Sequence, residues 1–285
     1  MASILETGKY SEHYSLSGYF KVFFIRCSVE NCVHEGDGAG IYIEGAELVG
    51  VENSFFSGCV SNGKHFGGCC FLSGVDTYIT RSYNEKAFSY GSSCNFQYAT
   101  NSSRLNDTSL KESKTKDYHG ASSLRLGYAY STRCNGSRLE SNYRECTIHA
   151  WNGPPNEFSF LTFWWCVGEG VYSVHSIQPE LCTTRNICVL NCSESQSLCL
   201  VTGGNHEIED CIFESKIPPF GRWLGFSGVA VARRCFFGLA PSVSYVSTQD
   251  CVIIESLNDV RIVTSMCYLR HKTNPFTICM ERPLI

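Results

Sequence analysis

Carboxylates are the side chains with the widest chemical use in this chain, because converging acidic groups can bind calcium or act as general acid and base. The aspartates are, in chain order, Asp37, Asp76, Asp107, Asp117, Asp210, Asp250 and Asp259. Asp210 and Asp250 each come directly before a cysteine, and Arg234 holds the same place between them. This spacing predicts a solvent-facing ladder of mixed charge, so the aspartates indicate no catalytic residue.

Thiols and imidazoles are the other possible ligands or nucleophiles. Cys182, Cys188 and Cys192 lie close together in the sequence, with His175 upstream. A structural zinc site usually takes its ligands from closely spaced cysteine pairs, and the chain has no Cys-x-x-Cys. No histidine or asparagine marks one of the 18 cysteines as an activated nucleophile. We therefore predict no metal site, no cofactor and no catalytic residue.

Two proline-containing loops are the best candidate binding sites. In one, Trp151 precedes Pro154 and Pro155, and in the other a second Pro-Pro pair precedes Arg222 and Trp223. Loops that interrupt a repeat protein emerge on its side and often carry recognition. Tryptophan and arginine are also favoured at the centres of interfaces. We predict that these five residues contact a partner, which is either a protein or a glycan surface.

The other two tryptophans are expected to be structural. Trp164 and Trp165 lie in the strongly apolar segment 158–167 and are predicted to fill the core. Trp151 and Trp223 are the pair that we expect to be exposed. The sequence leaves the oligomeric state open.

A short repeat indicates which element must position these residues. Polar residues, a cysteine and two apolar residues recur at Cys188, Cys211 and Cys235, at intervals of 23 (211 − 188) and 24 (235 − 211) residues. Cys146 and Cys251 carry the same pattern. A period in the low twenties, with more than one strand-like piece in each period, predicts a solenoid wound from β-strands. The five cysteines are predicted to form a ladder of thiols in its core.

The sequence predicts an all-β parallel β-helix of roughly ten coils in a single domain, because apolar residues fall at every second position or in short runs bounded by Gly, Asn and Ser. Residues 1–19 are expected to form a lead-in or cap, residues 20–270 the β-helix and residues 271–285 a tail. The segment 95–118 is poor in aliphatic residues. It is either a degraded coil or an excursion from the β-helix, and the excursion is favoured.

Composition limits the partners and the location. The formal net charge of −4 argues against a nucleic acid, which requires a concentrated basic face. No apolar run approaches the ~20 residues that cross a bilayer. The start of the chain lacks the pattern of a signal peptide, so a cytoplasmic location is expected unless the chain is a piece of a longer exported protein. The cysteines are expected to be reduced, because a free thiol behaves as a small buried apolar group.

The chain resembles the right-handed parallel β-helix proteins. The likeness is carried by the glycine-rich segments 38–43 (GAGIYI) and 67–72 (GGCCFL) and by the returning polar-polar-Cys-apolar-apolar unit. It is most similar to the Cys-containing β-helix proteins of anaerobic protists, themselves similar to polymorphic outer-membrane repeats. The resemblance implies right-handed winding, a three-sheet cross-section and a surface or interaction role.

Two functions follow from this fold. The preferred one is a non-catalytic scaffold for protein or glycan interaction, with contacts supplied by side loops. The alternative is an enzyme that acts on acidic polysaccharide, since pectate-lyase-like and polygalacturonase-like enzymes use the same pectin lyase-like scaffold. Three or more carboxylates converging in one groove beside Arg or Lys would favour the enzyme, and carboxylates spread along exposed edges would favour the scaffold.

Overall fold

The computed structural model is built of β-strands over the residues that it describes, which are 3–116, 120–142, 147–152, 156–168, 172–176, 181–190, 192–194, 199–202, 205–214, 220–221, 229–238 and 246–253. Each strand pairs in parallel with its counterpart in the next coil. The described part of the chain is therefore an all-β parallel solenoid, as predicted. Among the described residues, no helix is long and apolar enough to span a membrane.

The strands are short, and they follow one another at regular intervals. The first sixteen are β1 Ser3–Tyr10, β2 Tyr14–Ser17, β3 Lys21–Glu30, β4 Val33–His34, β5 Ile41–Glu52, β6 Phe55–Ser57, β7 Val60–Ser61, β8 Cys70–Thr80, β9 Tyr83–Glu85, β10 Phe88–Ser89, β11 Asn95–Asn106, β12 Ser109–Lys111, β13 Lys114–Thr115, β14 Ser122–Thr132, β15 Asn135–Ser137 and β16 Glu140–Ser141. The rest are β17 Ile148–Asn152, β18 Glu157–Ser159, β19 Thr162–Trp164, β20 Val167–Gly168, β21 Tyr172–Ser176, β22 Leu181–Arg185, β23 Cys188–Leu190, β24 Ser193–Glu194, β25 Cys199–Thr202, β26 Asn205–Glu209, β27 Ile212–Phe213, β28 Phe220–Gly221, β29 Val229–Arg233, β30 Phe236–Phe237, β31 Val246–Gln249 and β32 Val252–Ile253.

One coil contains four short segments, which are clearest in residues 41–61. β5 supplies the first and second segments, separated by a register shift after residue 43, and β6 and β7 are the third and fourth. The first three segments stack in a 25-stranded sheet and the fourth in a separate seven-stranded sheet. Seven strands of the fourth segment correspond to about seven complete turns. The stack continues through β32, so the prediction of roughly ten coils agrees with the structure.

Two tight corners bound the third segment, and both require a residue with left-handed backbone. Corner one precedes the third segment and has φ between 49° and 57° at Asp107, Arg133 and their equivalents. Corner two follows the third segment, and its φ lies between 48° and 65° at Gly58, Arg138 and their equivalents. Most of these residues are polar or glycine, as the strain of this conformation leads one to expect.

The residue that follows each corner is usually a buried Cys, Ser or Thr whose side chain satisfies a nearby carbonyl. Ser82 Oγ donates to the carbonyl of Thr80 at 3.0 Å, and Cys235 Sγ donates to the carbonyl of Arg233 at 3.2 Å. The backbone ladder already pairs these carbonyls, since Asn53 N–H donates to Thr80 and Asp210 N–H donates to Arg233, so the side chain is a second, local donor to each. This bond explains why small thiols and hydroxyls recur after a polar residue. After corner one, the column runs through Cys27, Ser54, Ser82, Thr108, Cys134, Leu161, Ile187, Cys211, Cys235 and Cys251.

The predicted thiol ladder is corrected at Cys188. Cys188 pairs with Ile212, so the residue beneath Cys211 is Ile187. An offset of one residue places a side chain on the opposite face of the strand, and Cys188 therefore lies outside the main core. Cys188 is also disulfide-bonded, which makes the prediction of reduced thiols wrong at this position. Cys146 lies outside the described residues.

The core is a stack of apolar side chains along the inner faces of the segments. In the third segment the inward column includes Phe56, Phe163, Phe213 and Phe237, all fully buried. The rings of Phe213 and Phe237 stack with centroids 5.8 Å apart. Each such side chain contributes about 2–3 kcal/mol of hydrophobic stabilisation, so the column holds the coils together along the axis.

The predicted excursion near residues 95–118 is instead a regular coil over its described part. β11, β12 and β13 pair in register with the coils on both sides. The sequence appears irregular because polar side chains replace aliphatic ones inside this coil, among them Asn95, Gln97 and Thr115. At the N-terminus, β1 and β2 already pair with β3 and β5, so residues 3–17 belong to the solenoid. The tail 271–285 lies outside the described residues.

Candidate functional site

An exposed cluster of apolar side chains lies on the coil formed by residues 148–168. We call Phe160, Trp164, Trp165 and Val167 the aromatic patch. They are between 39% and 48% exposed. The two indole rings meet edge to face, with centroids 5.7 Å apart. Trp164 and Trp165 were predicted to fill the core, and this is wrong, because the inward residue of β19 is Phe163.

The neighbouring coil, residues 122–141, has polar residues at all four positions of the aromatic patch. Trp164 is in register with Ser137, and Val167 is in register with Glu140. Phe160 and Trp165 occupy corners one and two, where the neighbouring coil has the residues Arg133 and Arg138. The winding therefore does not require aromatic side chains at these positions.

Two residues of the aromatic patch also have a strained backbone conformation. Phe160 and Trp165 have φ of 56° and 52°. A bulky residue in the left-handed region costs about 1–2 kcal/mol, and residues held in such regions are concentrated at functional sites. Apart from Leu126, the other non-glycine residues with positive φ in the described ranges are polar.

Ion pairs border the aromatic patch on the side of the preceding coils. The guanidinium of Arg138 lies over the ring of Trp165, 5.5 Å from its centroid, and is 3.1 Å from Glu112. Lys114 and Glu140 form a further pair at 3.0 Å. An apolar centre with a polar rim is the usual anatomy of a protein interface.

A second apolar cluster continues from the patch on the outer face of the same sheet. Leu190 is in register with Trp164 and is buried, as are Cys188 and Ile212. Phe236 packs against these three residues. The apolar surface of the patch is thus the exposed end of a longer apolar strip on this face.

The carboxylates are arranged as ladders along the solenoid. Asp210 and Arg234 occupy corner one in adjacent coils and form two contacts of 2.9 and 3.0 Å. Glu209 lies 3.2 Å from Arg185 and 3.4 Å from Arg233. These acidic groups are matched by arginines, so they form a mixed-charge ladder as the sequence predicts. In the parts of the chain that the structure describes, no group of three His, Cys, Asp or Glu side chains could hold a metal ion.

A shallow groove of about 480 Å³ lies on the outer face of the second segments of β5, β8 and β11. Tyr78, Asp76 and Arg104 contribute to its lining. Sequence reasoning did not identify this groove, because its residues come from different coils and no local motif joins them. The residues that line the groove can be identified only when the register of β8 and β11 is known, because they are the outward-facing residues of those strands.

The predicted binding residues are only partly described. Trp151 lies in β17, where it pairs with Arg125 and His175. Pro154, Pro155, Arg222 and Trp223 lie outside the described residues. β17 ends before the first loop, and β28 lies in the second loop between its Pro-Pro pair and Arg222. Both strands belong to one stack in which β21 and β25 lie between them. Three steps of ~4.8 Å place β17 and β28 about 14 Å apart.

No protein family, curated protein or solved structure matches this chain at a significant level.

Proposed function

We propose that this protein is a non-catalytic β-helix scaffold that binds a protein or glycan surface, with the aromatic patch, the loop after β17 and the loop that contains β28 as its contact sites. One observation carries the proposal. The 148–168 coil has exposed apolar residues at four positions where the adjacent coil folds with polar ones. Exposing these apolar side chains to water is unfavourable, and the winding does not require them, so binding to a partner is the best explanation for their presence.

The composition of the patch favours a protein partner. Exposed tryptophans beside an arginine are the residue types that dominate binding energy in interfaces. The solenoid holds them on a rigid support, since the coil beneath is fixed by backbone ladders on both sides. Little conformational entropy is then lost on binding. Glycans remain the other partner class, because sugar rings also stack on indoles.

The alternative function, an enzyme for acidic polysaccharides, has less support. It requires several carboxylates converging beside a base, whereas Asp107 and Asp210 are each bound by an arginine of the next coil. An assay for lyase or hydrolase activity on polyuronates, with calcium present, is its direct test. Turnover there would replace the scaffold proposal.

Site-specific photo-crosslinking tests the proposal in the full chain. A photo-reactive phenylalanine analogue is placed at Trp165 in one variant and at the exposed Tyr19 in a control variant. We expect a defined partner protein to be captured from position 165 and not from position 19. The purified partner should then bind the double variant Trp164→Ser, Trp165→Arg about 30-fold or more weakly than the original chain, because two anchor residues are lost.

The double variant takes its residues from the adjacent coil, so it should fold, and circular dichroism checks this. Equal capture from both positions, or unchanged affinity of the folded double variant, would refute the proposal for the patch. If instead the double variant loses binding on a glycan array and captures no protein, the partner is a glycan.

A further inference from the structure

We propose that the groove on β5, β8 and β11 is a second binding site, separate from the aromatic patch, and that it takes a neutral oligosaccharide. The site combines a preorganised carboxylate, a fixed aromatic ring and a guanidinium that forms no ion pair within the described residues. Its volume of about 480 Å³ falls within the range of small-molecule sites.

Asp76 supplies a positioned acceptor. One of its oxygens, Oδ1, accepts hydrogen bonds from Asn101 Nδ2 at 2.8 Å and from Ser102 Oγ at 2.5 Å. No described residue donates to Oδ2, and no described cation pairs with Asp76. The two bonds on Oδ1 fix the carboxylate plane, so Oδ2 is held ready to accept from a ligand hydroxyl.

Tyr78 supplies a ring whose position is fixed at both ends. Its hydroxyl donates to Glu52 Oε1 at 2.9 Å, and burial together with this bond raises its pKa to about 12. The ring lies across Gly50 of the neighbouring strand, where an added Cβ would come within 2.4 Å of the phenol. Glycine at position 50 thus leaves the space that the phenol occupies, and the ring is placed for stacking against the apolar face of a sugar.

Arg104 supplies the donors. It is in register with Tyr78, and its guanidinium lies over the ring of Tyr130, 5.6 Å from the centroid. Among the described carboxylates none pairs with Arg104. The groove thus presents one uncompensated anion and one uncompensated cation in adjacent coils. An anionic ligand would face Asp76 and a cationic ligand would face Arg104, whereas neutral hydroxyls can donate to the first and accept from the second.

Glycan arrays followed by calorimetry test this inference on the full chain. The array contains neutral hexose oligomers and, as an acidic arm, oligogalacturonates. We expect a neutral oligomer to bind and both Asp76→Asn and Arg104→Gln to weaken it about tenfold or more, because each removes a charge-assisted hydrogen bond. Asp210→Asn and Arg234→Gln, the same changes in a paired ladder outside the groove, should leave the affinity unchanged.

The groove and the patch are distinguished by the same set of variants. Loss of glycan binding in the Trp164→Ser, Trp165→Arg variant, with no effect of Asp76→Asn, would overturn the groove while leaving the scaffold function in place. Binding of oligogalacturonates alone would overturn the assignment of a neutral ligand. Absence of any glycan binding by the folded chain would overturn the site itself. Capture of a protein from position 165 would still support the scaffold function in that case.

Discussion

Asp107 and Arg133 form a bidentate ion pair between corner-one positions of adjacent coils. Arg133 Nε and the Asp107 Oδ1 are 2.5 Å apart, and the second contact is 2.8 Å. The hydrogen bonds raise the pKa of Arg133. Since the backbone ladder already joins these coils, the pair adds register specificity more than stability.

We expect Asp107→Asn to lower the free energy of unfolding by at most about 1 kcal/mol, as for other partly exposed pairs. The exchange Asp107→Arg with Arg133→Asp should recover most of that loss, because the two corners have the same backbone conformation. Urea unfolding at low and high salt measures both effects. An exchange variant that is less stable than the single variant would contradict this account of the ladder.

A second prediction concerns the thiol of Cys134, which is fully buried. Its Sγ lies 3.2 Å from the carbonyl oxygen of Leu105 and 3.4 Å from that of Thr132, and its single S–H can donate to either; burial raises its pKa to about 11. We expect Cys134→Ser to be more stable than Cys134→Ala by about 1 kcal/mol, because only serine keeps a side-chain hydrogen bond in addition to the backbone bond that Thr132 accepts from Asp107 N–H.

Serine is already used at equivalent positions, including Ser54 and Ser82. Thermal unfolding of the two Cys134 variants measures the difference. If alanine were the more stable replacement, the thiol would act only as an apolar filler and the carbonyl bond would contribute nothing.

The repeat predicted the fold because the corner chemistry is local. A polar residue, then a small donor, then an apolar pair is the sequence of one corner, and it marks Cys211, Cys235 and Cys251. The same rule locates the error at Cys188. The residue directly after the polar corner residue Asn186 is Ile187, so counting from the corner gives the register that counting from cysteine to cysteine missed.

The candidate sites were less predictable, because they depend on which side of a coil a residue faces. The run 158–167 is apolar apart from Ser159 and Thr162, and nothing in it alone separates Phe163, which is buried, from Trp164 and Trp165, which are exposed. Locating the two corners separates them. The coil around Asn95 led to the opposite error. Its polar residues are buried, but the prediction placed them in a loop, because polarity normally indicates one.

A third prediction concerns pH. The rings of His13 and His34 stack with centroids 3.7 Å apart. Burial lowers the pKa of His34, and so do His13 and His65, while Glu35 and Asp37 raise it. The unfolded chain then takes up the proton first as the pH falls. The contribution of neutral His34 to stability is therefore present above its unfolded pKa of about 6.5 and declines as the pH falls from there through its lowered folded pKa.

We expect the unfolding temperature of the original chain to fall between about pH 7.5 and pH 5.5, and that of His34→Gln to fall less. Hydrogen exchange at β2 and β4 should show the same difference locally. His13→Gln removes one of the charges that oppose protonation of His34 and should give an intermediate result. Identical falls in all three proteins would exclude the histidine stack as the cause.

Two buried asparagines, Asn95 and Asn84, differ in whether their side-chain amides have hydrogen-bond partners among the described residues. Both polar atoms of the Asn95 side chain have a partner in an adjacent coil, since its Oδ1 accepts from Cys70 Sγ at 3.0 Å and its Nδ2 donates to Ser122 Oγ at 3.2 Å. Asn84 is equally buried, and neither polar atom of its side chain has a partner among the described residues. An unpaired buried amide costs about 1–3 kcal/mol, whereas a paired one does not.

Leucine has a similar shape to asparagine, and the residue in register with Asn84 in the next coil is Leu110. We therefore expect Asn84→Leu to raise the free energy of unfolding by about 1–3 kcal/mol and Asn95→Leu to lower it by a similar amount. Chemical denaturation of the two variants under identical conditions measures the signs. If both variants are destabilised, Asn84 has a hydrogen-bond partner in solution, and the contrast between the two asparagines does not hold.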